Sequence, residues 1–564
     1  MYQIVSLFPV NSCWARTLCV PLPSLIMICY YRMMKKLEII VCMLLLAGYM
    51  VAQSNLSALL PMPNRIKQVE SGKDFVITDK TILQTNLPAN AFCITELNNI
   101  LRQRTGKTPA LSSAGRGDSA IRLLLDSSVE GDEHYLLSVS EEAVTIKGAT
   151  QGAILYGLMT LDQILLGDVC RTLSGKIAPV EVDDRPRFGY RSLMLDPARH
   201  FLPVDDVKFY IDQMVRYKYN VLQLHLTDDQ GWRIEIKKHP RLTEKGEFYT
   251  QEELKELVRY AAERNVQIIP ELDIPGHTVA LLAAYPDLGC SHTDTIPKIV
   301  GETVNLMLCA NNDKVYSLYR DILAEVASVF PAPYIHLGGD EAVIDANWGK
   351  CEHCQALMKR LGYTKPAELM NYFFGKMLPV VREQGKQPML WCELDNIYMP
   401  AHEYLFDYPK DAVLITWRNG LTPLCTELTA RHGNRLIMAP GEYTYFDYPQ
   451  YKNDFPEFNN WGMPITTLET TYQFDPGYGL PAAQQAHIAG VNGTLWGEAM
   501  PDIHRVTYMT YPRGLALAEA GWTEMEHRDW ESFKQRMYPN LSELMKRGVS
   551  VRVPYEIVHQ QQKK

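Results

Sequence analysis

Short apolar runs alternate with helical patterns along most of the chain after residue 186. The apolar, β-prone runs are Ser192–Asp196, Val221–Leu226, Gln267–Leu272, Tyr334–Leu337, Pro388–Trp391, Val413–Trp417, Leu436–Ala439 and Val491–Leu495. Helical patterns lie between several of them, at Val204–Lys218, Gln251–Asn265, Lys314–Phe330 and Pro366–Gln384. Strands that alternate with helices predict a parallel sheet. Eight such runs favour a (β/α)8 TIM barrel over residues 184–548, with an open doubly wound sheet as the alternative.

A different pattern precedes the barrel segment. Strand-like runs at Asp74–Thr78, Ile121–Leu125 and Ala143–Ile146 accompany helical patterns at Ala91–Arg104 and Thr150–Leu166. We therefore predict a small N-terminal α/β domain, an α+β sandwich, over residues 54–183. The boundary is expected at Asp183-Asp184-Arg185-Pro186, because proline and charged residues mark a break between elements. Residues 549–564 are left as a C-terminal tail.

Polar and aromatic residues follow every apolar run of the barrel segment. They are Arg199 and His200 after the first run, Thr227 to Asp229 after the second, Asp273 to His277 after the third, Gly339 to Glu341 after the fourth, Trp391 and Glu393 at the fifth, Trp417 and Arg418 at the sixth, Tyr445 and Asp447 beyond the seventh, and Trp496 to Glu498 after the eighth. The carboxyl ends of barrel strands form the catalytic face of this fold. One such residue could be a structural cap, but the whole set predicts a catalytic rim.

Length, charge and the amino terminus narrow the function classes. The 564 residues exceed what one hydrophobic core supports, and the formal net charge of −9 argues against nucleic acid as a partner. Met33-Met34-Lys35-Lys36, the apolar run 39–47 and small residues up to Ala52 predict a signal peptide over 33–52, and hence export to the periplasm, cell surface or medium of a bacterium. The run is too short for an integral membrane span. Residues 1–32 are interpreted as upstream sequence from a misassigned start at Met1, with a genuine tail as the alternative.

Cysteine spacing indicates disulfides rather than a metal site. Cys351 and Cys354 have the spacing of a redox pair or of half a zinc site, but no second CxxC or His pair completes the latter. In an exported protein we predict a local disulfide between them, and Cys290 with Cys309 is a second candidate pair. His225, Asp228, His277, His336 and Asp340 could in principle surround zinc. No HxH pair follows the first strand, so we expect no catalytic metal.

The fourth run ends in Gly338-Gly339-Asp340-Glu341, which places two adjacent carboxylates after a glycine turn. Carboxylates among tryptophan and tyrosine are typical of sugar binding and glycoside hydrolysis. Retaining enzymes usually hold two carboxyl groups about 5–5.5 Å apart, and inverting enzymes about 6.5–9.5 Å apart, on either side of the bond. Asp340 and Glu341 cannot easily do this, because successive extended residues point to different sides. A nucleophile from elsewhere is therefore required.

Several motifs resemble those of the family 20 glycoside hydrolases, the β-N-acetylhexosaminidases. HLGGDE at 336–341 is similar to the family's defining motif. Further similar motifs are LDPARHF (195–201), NVLQLHLTDDQGWR (220–233), PELDIPGH (270–277), WCE (391–393), YFDYP (445–449) and LWGE (495–498). The small leading domain also resembles the one that precedes the barrel in that family.

The resemblance implies an exo-acting, retaining β-N-acetylhexosaminidase without metal or organic cofactor. It would remove terminal non-reducing β-linked N-acetylglucosamine or N-acetylgalactosamine from a glycan, with the substrate's own 2-acetamido oxygen as nucleophile. Glu341 would be the general acid and base, and Asp340 would hold the acetamido N–H. The implied supporting residues are Tyr445 on the acetamido oxygen, Asp228 and His277 behind the acid, Trp391, Trp417 and Trp496 around the sugar, and Arg199, Asp447 and Glu498 on its outer hydroxyls. His225, Asp229 and His336 are expected to be supporting or structural residues.

Alternatives remain open on the sequence. A catalytically silent glycan-binding protein of the same fold, a lacto-N-biosidase-type enzyme of the same family, and a glycosidase with a protein nucleophile are the rivals. The preferred sugar, the linkage and the oligomeric state are not determined.

Overall fold

The computed structural model describes residues 56–69, 72–111, 119–290, 306–393, 407–418, 420–452, 454, 463–477 and 479–555. The predicted upstream extension and signal peptide lie outside these described residues, as do the last nine residues of the predicted tail. Within the described residues, no helix combines the length and the apolar character needed to cross a membrane.

The first part of the structure is a seven-stranded mixed sheet with helices. Its strands are β1 (Ile66–Gln68), β3 (Ile82–Thr85), β4 (Ala110–Leu111), β5 (Ala120–Leu125), β6 (Tyr135–Val139), β7 (Ala143–Gly148) and β9 (Val180–Asp184), in the order β1-β9-β6-β7-β5-β3-β4. β2 (Phe75–Val76) and β8 (Lys176–Ile177) pair separately. The helices are Phe92–Thr105, Gln151–Gly167 and Val169–Leu173. We call these elements, from β1 to β9, the small domain; its predicted α/β character is confirmed.

The second part is a closed parallel barrel of eight strands. They are β10 (Tyr190–Leu195), β11 (Val221–His225), β12 (Gln267–Glu271), β13 (Tyr334–His336), β14 (Gln387–Trp391), β15 (Val413–Thr416), β16 (Arg435–Met438) and β17 (Ile488–Gly493). Each predicted apolar run supplies one strand, so the predicted (β/α)8 barrel is confirmed. Burial explains the pattern, because nearly every residue of these strands is inaccessible to solvent.

Helices surround the barrel and connect its strands. The α-helices are Val204–Arg216, Gln251–Glu263, Val279–Ala284, Asp313–Val329, Glu352–Leu361, Leu369–Glu383, Thr422–His432, Gly441–Thr444, Leu468–Gln473, Ala482–Gln485, Ile503–Thr510, Arg513–Trp522 and Trp530–Lys546. Short 3-10 helices lie at Pro240–Thr243, Pro286–Leu288, Pro366–Glu368 and Met525–His527. Helix Gln251–Glu263 begins at a capping box, in which the Thr250 side chain accepts from Glu253 N and the Glu253 side chain accepts from Thr250 N.

The small domain packs against the amino-terminal end of the first barrel strands. Arg191, at the start of β10, pairs with Glu133 of the small domain at 2.8 Å. Lys218 Nζ, just before β11, lies 3.2 Å from Asp184 Oδ2. Asn265, before β12, donates to the Tyr156 hydroxyl at 2.8 Å. These contacts place the small domain at the end of the barrel opposite the strand carboxyl ends. The exact domain boundaries at 184 and 548 stay predictions.

The predicted disulfides are wrong. No disulfide joins the described cysteines to one another, neither Cys351 to Cys354 nor Cys290 to Cys309. Instead the four side chains converge: Cys309 Sγ lies 3.9 Å from Cys351 Sγ and 3.7 Å from Cys354 Sγ, and Cys290 Sγ lies 3.8 Å from Cys354 Sγ. A disulfide bond would need about 2.05 Å.

Candidate active site

The chain turns sharply between β13 and the two adjacent carboxylates. Gly338 and Gly339 have φ of 62° and 99°, and Glu341 has φ of 46°. A Cβ on Gly338 would lie 1.7 Å from Asp273 Oδ1, so only glycine fits beside that carboxylate. The Asp340 side chain is 8% exposed, whereas that of Glu341 is 31% exposed. The turn therefore gives the two carboxylates different surroundings, as their expected division of roles requires.

Asp228 joins two cations behind these carboxylates. Its Oδ2 lies 2.9 Å from Arg199 Nη2, and its Oδ1 accepts from His277 Nδ1 at 3.2 Å. The other ring nitrogen of His277, Nε2, lies 3.7 Å from Glu341 Oε2 and 3.9 Å from Asp340 Oδ2. Three predicted residues, Arg199, Asp228 and His277, thus form a continuous line of alternating charge that ends at Asp340 and Glu341.

The opposite charges of Arg199, Asp228 and His277 stabilise one another. Burial alone would raise the pKa of Asp228, but the positive charges of Arg199 and His277 hold that pKa well below its usual range. Burial would lower the pKa of His277, but the Asp228 charge and hydrogen bond raise it well above the usual value. His277 is therefore a cation that faces the two carboxylates.

Asp273 is a third carboxyl group at the same place, and the sequence analysis gave it no role. Its Oδ1 accepts from Gly339 N at 3.1 Å. Burial raises the pKa of Asp273 well above its usual value, and the Asp340 charge raises it further. Burial also raises the pKa of Asp340, but the His277 charge opposes that effect. The pKa values of both carboxyl groups are thus raised, and that of Asp273 is raised more strongly than that of Asp340.

A buried polar network lies beneath the rim, centred on Glu271 at the end of β12. Glu271 accepts from Trp391 Nε1 at 2.8 Å and from Gln223 Nε2 at 2.7 Å. His225 Nδ1 lies 3.1 Å away and His336 Nδ1 3.3 Å away from its carboxylate oxygens. Sequence reasoning missed Glu271, although a carboxylate inside an apolar strand was a visible signal.

Other histidines and acids of the rim already form hydrogen bonds to neighbouring protein groups. Asp229 Oδ1 accepts from Val279 N at 3.1 Å at the start of helix Val279–Ala284, which fits a structural role. Three groupings have their ligand atoms within 4.8 Å: His225, Glu271 and Asp273; Asp228, Asp229 and His277; and Asp273, His277 and Asp340. Most members already donate to or accept from neighbouring protein groups, so we assign no metal to them.

Aromatic rings line the rim near these carboxylates. Trp391 is 1% exposed, and its ring centroid lies 5.8 Å from that of Trp496. Tyr445 lies 6.4 Å from Trp496 by ring centroids, and Trp417 packs against the same cluster. Trp417 and Trp496 are partly exposed, so part of each ring remains open to a ligand, whereas Trp391 is buried and contributes by supporting its neighbours. The three predicted tryptophans and Tyr445 thus share one wall.

Arg199, Asp447 and Glu498 were predicted to bind the outer hydroxyls of a sugar. Arg199 lies over the Trp496 ring, 5.0 Å from its centroid, and pairs with Asp196 at 3.0 Å. Burial raises the pKa of Asp447 well above its usual value, and the Glu498 charge adds to this effect. Burial would lower the pKa of Arg199, but the charges of Asp228, Asp196 and Glu498 raise it well above its usual value. Trp496 N lies 3.5 Å from Asp447 Oδ1, so Arg199 and Asp447 both lie beside Trp496, and Glu498 follows it two positions later in the chain.

Comparisons with known proteins agree with this geometry. The model of the glycosyl hydrolase family 20 catalytic domain matches residues 188–525, and that of the family's domain 2 matches residues 56–185. A β-hexosaminidase of Akkermansia muciniphila is 36% identical over 79% of this chain and 89% of its own. A solved Streptomyces plicatus N-acetyl-β-hexosaminidase, in complex with Thio-NAglucal, is 31% identical with a TM-score of 0.75 over 90% of this chain and 98% of its own.

A second solved structure is similar over nearly the same range. It is an exo-β-N-acetylglucosaminidase from Vibrio harveyi in complex with N-acetylglucosamine, 30% identical with a TM-score of 0.74, over 90% of this chain and 80% of its own. The matched ranges include both the small domain and the barrel with its rim. The resemblance expected from the sequence motifs is confirmed, and the chain belongs to glycoside hydrolase family 20.

Proposed function

We propose that this chain is an exo-acting β-N-acetylhexosaminidase that uses the acetamido group of its substrate as the nucleophile. The observation that carries the mechanism is a pair of buried polar atoms on the rim, Asp340 Oδ1 and the Tyr445 hydroxyl. Neither makes a hydrogen bond of good geometry to a described residue. One is an acceptor and the other a donor, which are the partners that an N–H and a C=O of one amide group need.

The first step cleaves the glycosidic bond. The carbonyl oxygen of the 2-acetamido group attacks C1 of the sugar and forms a five-membered ring, while the bond from C1 to the leaving oxygen breaks. Glu341 donates its proton to that oxygen. Asp340 accepts from the acetamido N–H and stabilises the positive charge that develops on the ring, and Tyr445 donates to the acetamido oxygen.

The second step opens the ring with water. Glu341, now a carboxylate, takes a proton from water, and the water oxygen attacks C1 as the bond from C1 to the acetamido oxygen breaks. Two displacements at C1 leave the β-configuration unchanged, so the product is released with retention. The nearby cation His277 favours the carboxylate form of Asp340, because opposite charges at this distance attract.

The tyrosine side chain is suited to its donor role. Burial raises the pKa of Tyr445 well above its usual value, with smaller contributions from neighbours that include Asp340. The hydroxyl therefore keeps its proton at any working pH. A neutral donor aimed at the acetamido oxygen is more useful here than a phenolate, which would repel the partially negative carbonyl oxygen as it approaches C1.

The experiment that tests the acid assignment compares leaving groups. Glu341→Gln should lose nearly all turnover of an alkyl or sugar β-N-acetylglucosaminide, whose leaving oxygen needs a proton, and retain far more on an aryl substrate with an acidic leaving group. The matched control Glu263→Gln, exposed on helix Gln251–Glu263, should behave as wild type. Equal losses on both substrates would contradict the role of Glu341 as acid.

The substrate-assisted step has its own test. Replacing the 2-acetamido group by a 2-hydroxyl group should eliminate turnover, whereas a thiazoline mimic of the ring intermediate should inhibit. Equal rates on both substrates, or a trapped covalent glycosyl-enzyme, would instead favour a protein nucleophile. A silent glycan-binding protein would hydrolyse neither substrate.

The natural glycan is best approached with a panel of defined substrates. β-Linked disaccharides that end in N-acetylglucosamine or N-acetylgalactosamine should be hydrolysed, because both sugars carry the 2-acetamido group that Asp340 and Tyr445 would bind. A terminal lacto-N-biose belongs in the same panel. Release of that disaccharide instead of a monosaccharide would assign the lacto-N-biosidase-type activity.

Export is part of the proposal as well. It is supported by the basic Lys35-Lys36 pair, the apolar run 39–47 and the small residues up to Ala52. Amino-terminal sequencing of protein recovered outside the cytoplasm should find a mature chain that begins after Ala52. A chain that keeps residues 33–52 and remains in the cytoplasm would contradict export.

A further inference from the structure

Four cysteines from separate parts of the barrel meet in one cluster. They are Cys290, Cys309, Cys351 and Cys354, and their Sγ atoms all lie within 4.8 Å of one another. Cys309, Cys351 and Cys354 are buried, with exposures of 0%, 5% and 0%, and Cys290 is partly exposed. The hydrolytic mechanism uses none of them. We refer to these residues as the cysteine cluster.

The spacing of the sulfur atoms is that of a tetrahedral metal site. The measured Sγ–Sγ distances are 3.8 Å for Cys290–Cys354, 3.9 Å for Cys309–Cys351 and 3.7 Å for Cys309–Cys354. A tetrahedral zinc ion with Zn–S bonds of about 2.3 Å places its sulfur ligands about 3.8 Å apart. Three of the six edges match this value, and the other three are no longer than 4.8 Å, so the four sulfur atoms surround a common centre.

The backbone around the cluster is ordered by hydrogen bonds of its own. Cys290 N donates to Met307 O at 3.2 Å, and Cys309 N donates to Leu288 O at 2.8 Å. These bonds hold the two sides of a loop together, so Cys290 and Cys309 become neighbours despite the residues between them. Cys351 and Cys354 are fixed by the first turn of helix Glu352–Leu361, where Gln355 N donates to Cys351 O at 2.9 Å. These backbone hydrogen bonds therefore hold the four cysteines in position independently of a metal ion.

From this geometry we propose that Cys290, Cys309, Cys351 and Cys354 bind one structural zinc ion. All four ligands come from the protein, which leaves no position for water or substrate and excludes a catalytic role for the ion. Zinc binds as the thiols lose their protons, so the site exchanges protons for the metal. The spacing of cysteines in the sequence does not reveal this zinc site, because the second pair of ligands, Cys290 and Cys309, is not a CxxC.

The ion would join two loops that lead to the active site. Cys290 and Cys309 belong to the segment after β12, in which Leu308 N donates to Pro275 O at 3.1 Å, two residues from His277. Cys351 follows the segment after β13 that carries Asp340 and Glu341. Trp348 Nε1, in this second segment, donates to Leu308 O at 2.9 Å. The zinc ion would therefore join the segment after β12, which carries His277, to the segment after β13, which carries Asp340 and Glu341. It would do so without contacting the substrate.

Metal content is the direct test, and it does not depend on hydrolytic activity. Full-length mature protein purified with zinc and without chelator should hold about one zinc per chain. Cys309→Ser and Cys354→Ser should each reduce this at least tenfold and lower the melting temperature. The matched control Cys93→Ser, a buried cysteine of the small domain, should retain the metal.

Cobalt provides a spectroscopic test of the ligands themselves. Wild-type protein exchanged with Co²⁺ should show the visible bands and the thiolate charge-transfer absorption of a tetrahedral, sulfur-ligated ion. The same exchange on the serine variants, where they fold, should give neither. Zinc-free protein with two disulfides by mass analysis, iron in place of zinc, or full zinc content in both serine variants would each overturn the proposal.

Discussion

Gly338 is the position where the structure makes its sharpest prediction. It lies between β13 and Asp340 with φ of 62°, and a Cβ there would lie 1.7 Å from Asp273 Oδ1 and 2.1 Å from Asp273 Cγ. Asp273 is 1% exposed and its Oδ1 holds Gly339 N, so this side chain cannot simply rotate away. In Gly338→Ala, either the carboxyl group or the turn that carries Asp340 and Glu341 must move.

The size of the effect follows from two separate contributions. A left-handed conformation costs an L-residue about 1–2 kcal/mol. The collision adds an overpacking cost of about 1–3 kcal/mol. Gly362→Ala isolates the first contribution, because Gly362 has φ of 74° and a Cβ added there would meet no atom within 4 Å. Displacement of the reacting groups by about 1 Å should reduce turnover about 100-fold in Gly338→Ala alone.

The assay measures both variants in parallel. Denaturant unfolding gives the loss of stability, and kcat on an aryl β-N-acetylglucosaminide gives the loss of function. Gly362→Ala should be modestly destabilised with normal kcat, whereas Gly338→Ala should be less stable by a further margin of about 1–3 kcal/mol and nearly inactive. The reasoning about the turn is refuted if the two alanine variants have the same stability and the same kcat.

Two further predictions concern Tyr445 and Glu271. Tyr445→Phe should lower kcat by about 100-fold with little change in KM, because its hydrogen bond orients the acetamido oxygen for attack on C1; steady-state kinetics that show an unchanged kcat would contradict this. The His336 and His225 rings, with a hydrogen bond from Gln223, hold the pKa of Glu271 at about 2 against burial, below its ordinary value of 4.5. Its stabilising contribution is therefore complete above pH 4.5 and is lost as the pH falls toward 2. Glu271→Gln should be about 3 kcal/mol less stable than wild type near pH 7, and this gap, measured by denaturant unfolding, should shrink on acidification; a constant gap would argue against the charge.

The barrel was predictable because its strands are short, fully buried and separated by long helices. The rim was predictable for the same reason, since polar residues such as Asp228 and Trp417 come directly after apolar runs. In the small domain, β5 and β7 were found, but β1 and β9 were not. β1 is three residues long with no buried residue, and β9 has two exposed residues among its five, so neither contains the continuous apolar run of a fully buried strand.

The sequence could not reveal which side chains from distant parts of the chain lie close together in the fold. Glu271 and Asp273 lie within apolar stretches, and only the fold shows that their carboxylates face Trp391, Gly339 and Asp340. The cysteine cluster is a second case. Its ligand pairs lie 61 positions apart, from Cys290 to Cys351, and the local spacing of Cys351 and Cys354 wrongly favoured a disulfide. Predictions from spacing fail where the chemistry depends on residues that only tertiary packing brings together.

Non-glycine residues with a left-handed backbone conformation occur at both ends of the barrel. Among the described residues, the non-glycine residues with positive φ are Lys218, Asn265, His277 and Glu341. The first two lie at the amino-terminal end of the barrel, where each contacts the small domain through a buried polar group. The other two lie at the rim, where His277 Nε2 lies 3.7 Å from Glu341 Oε2. Such conformations persist only where surrounding contacts over-determine them. At one end of the barrel those contacts anchor the small domain; at the other they hold a histidine and a carboxylate in the positions that the proposed reaction needs.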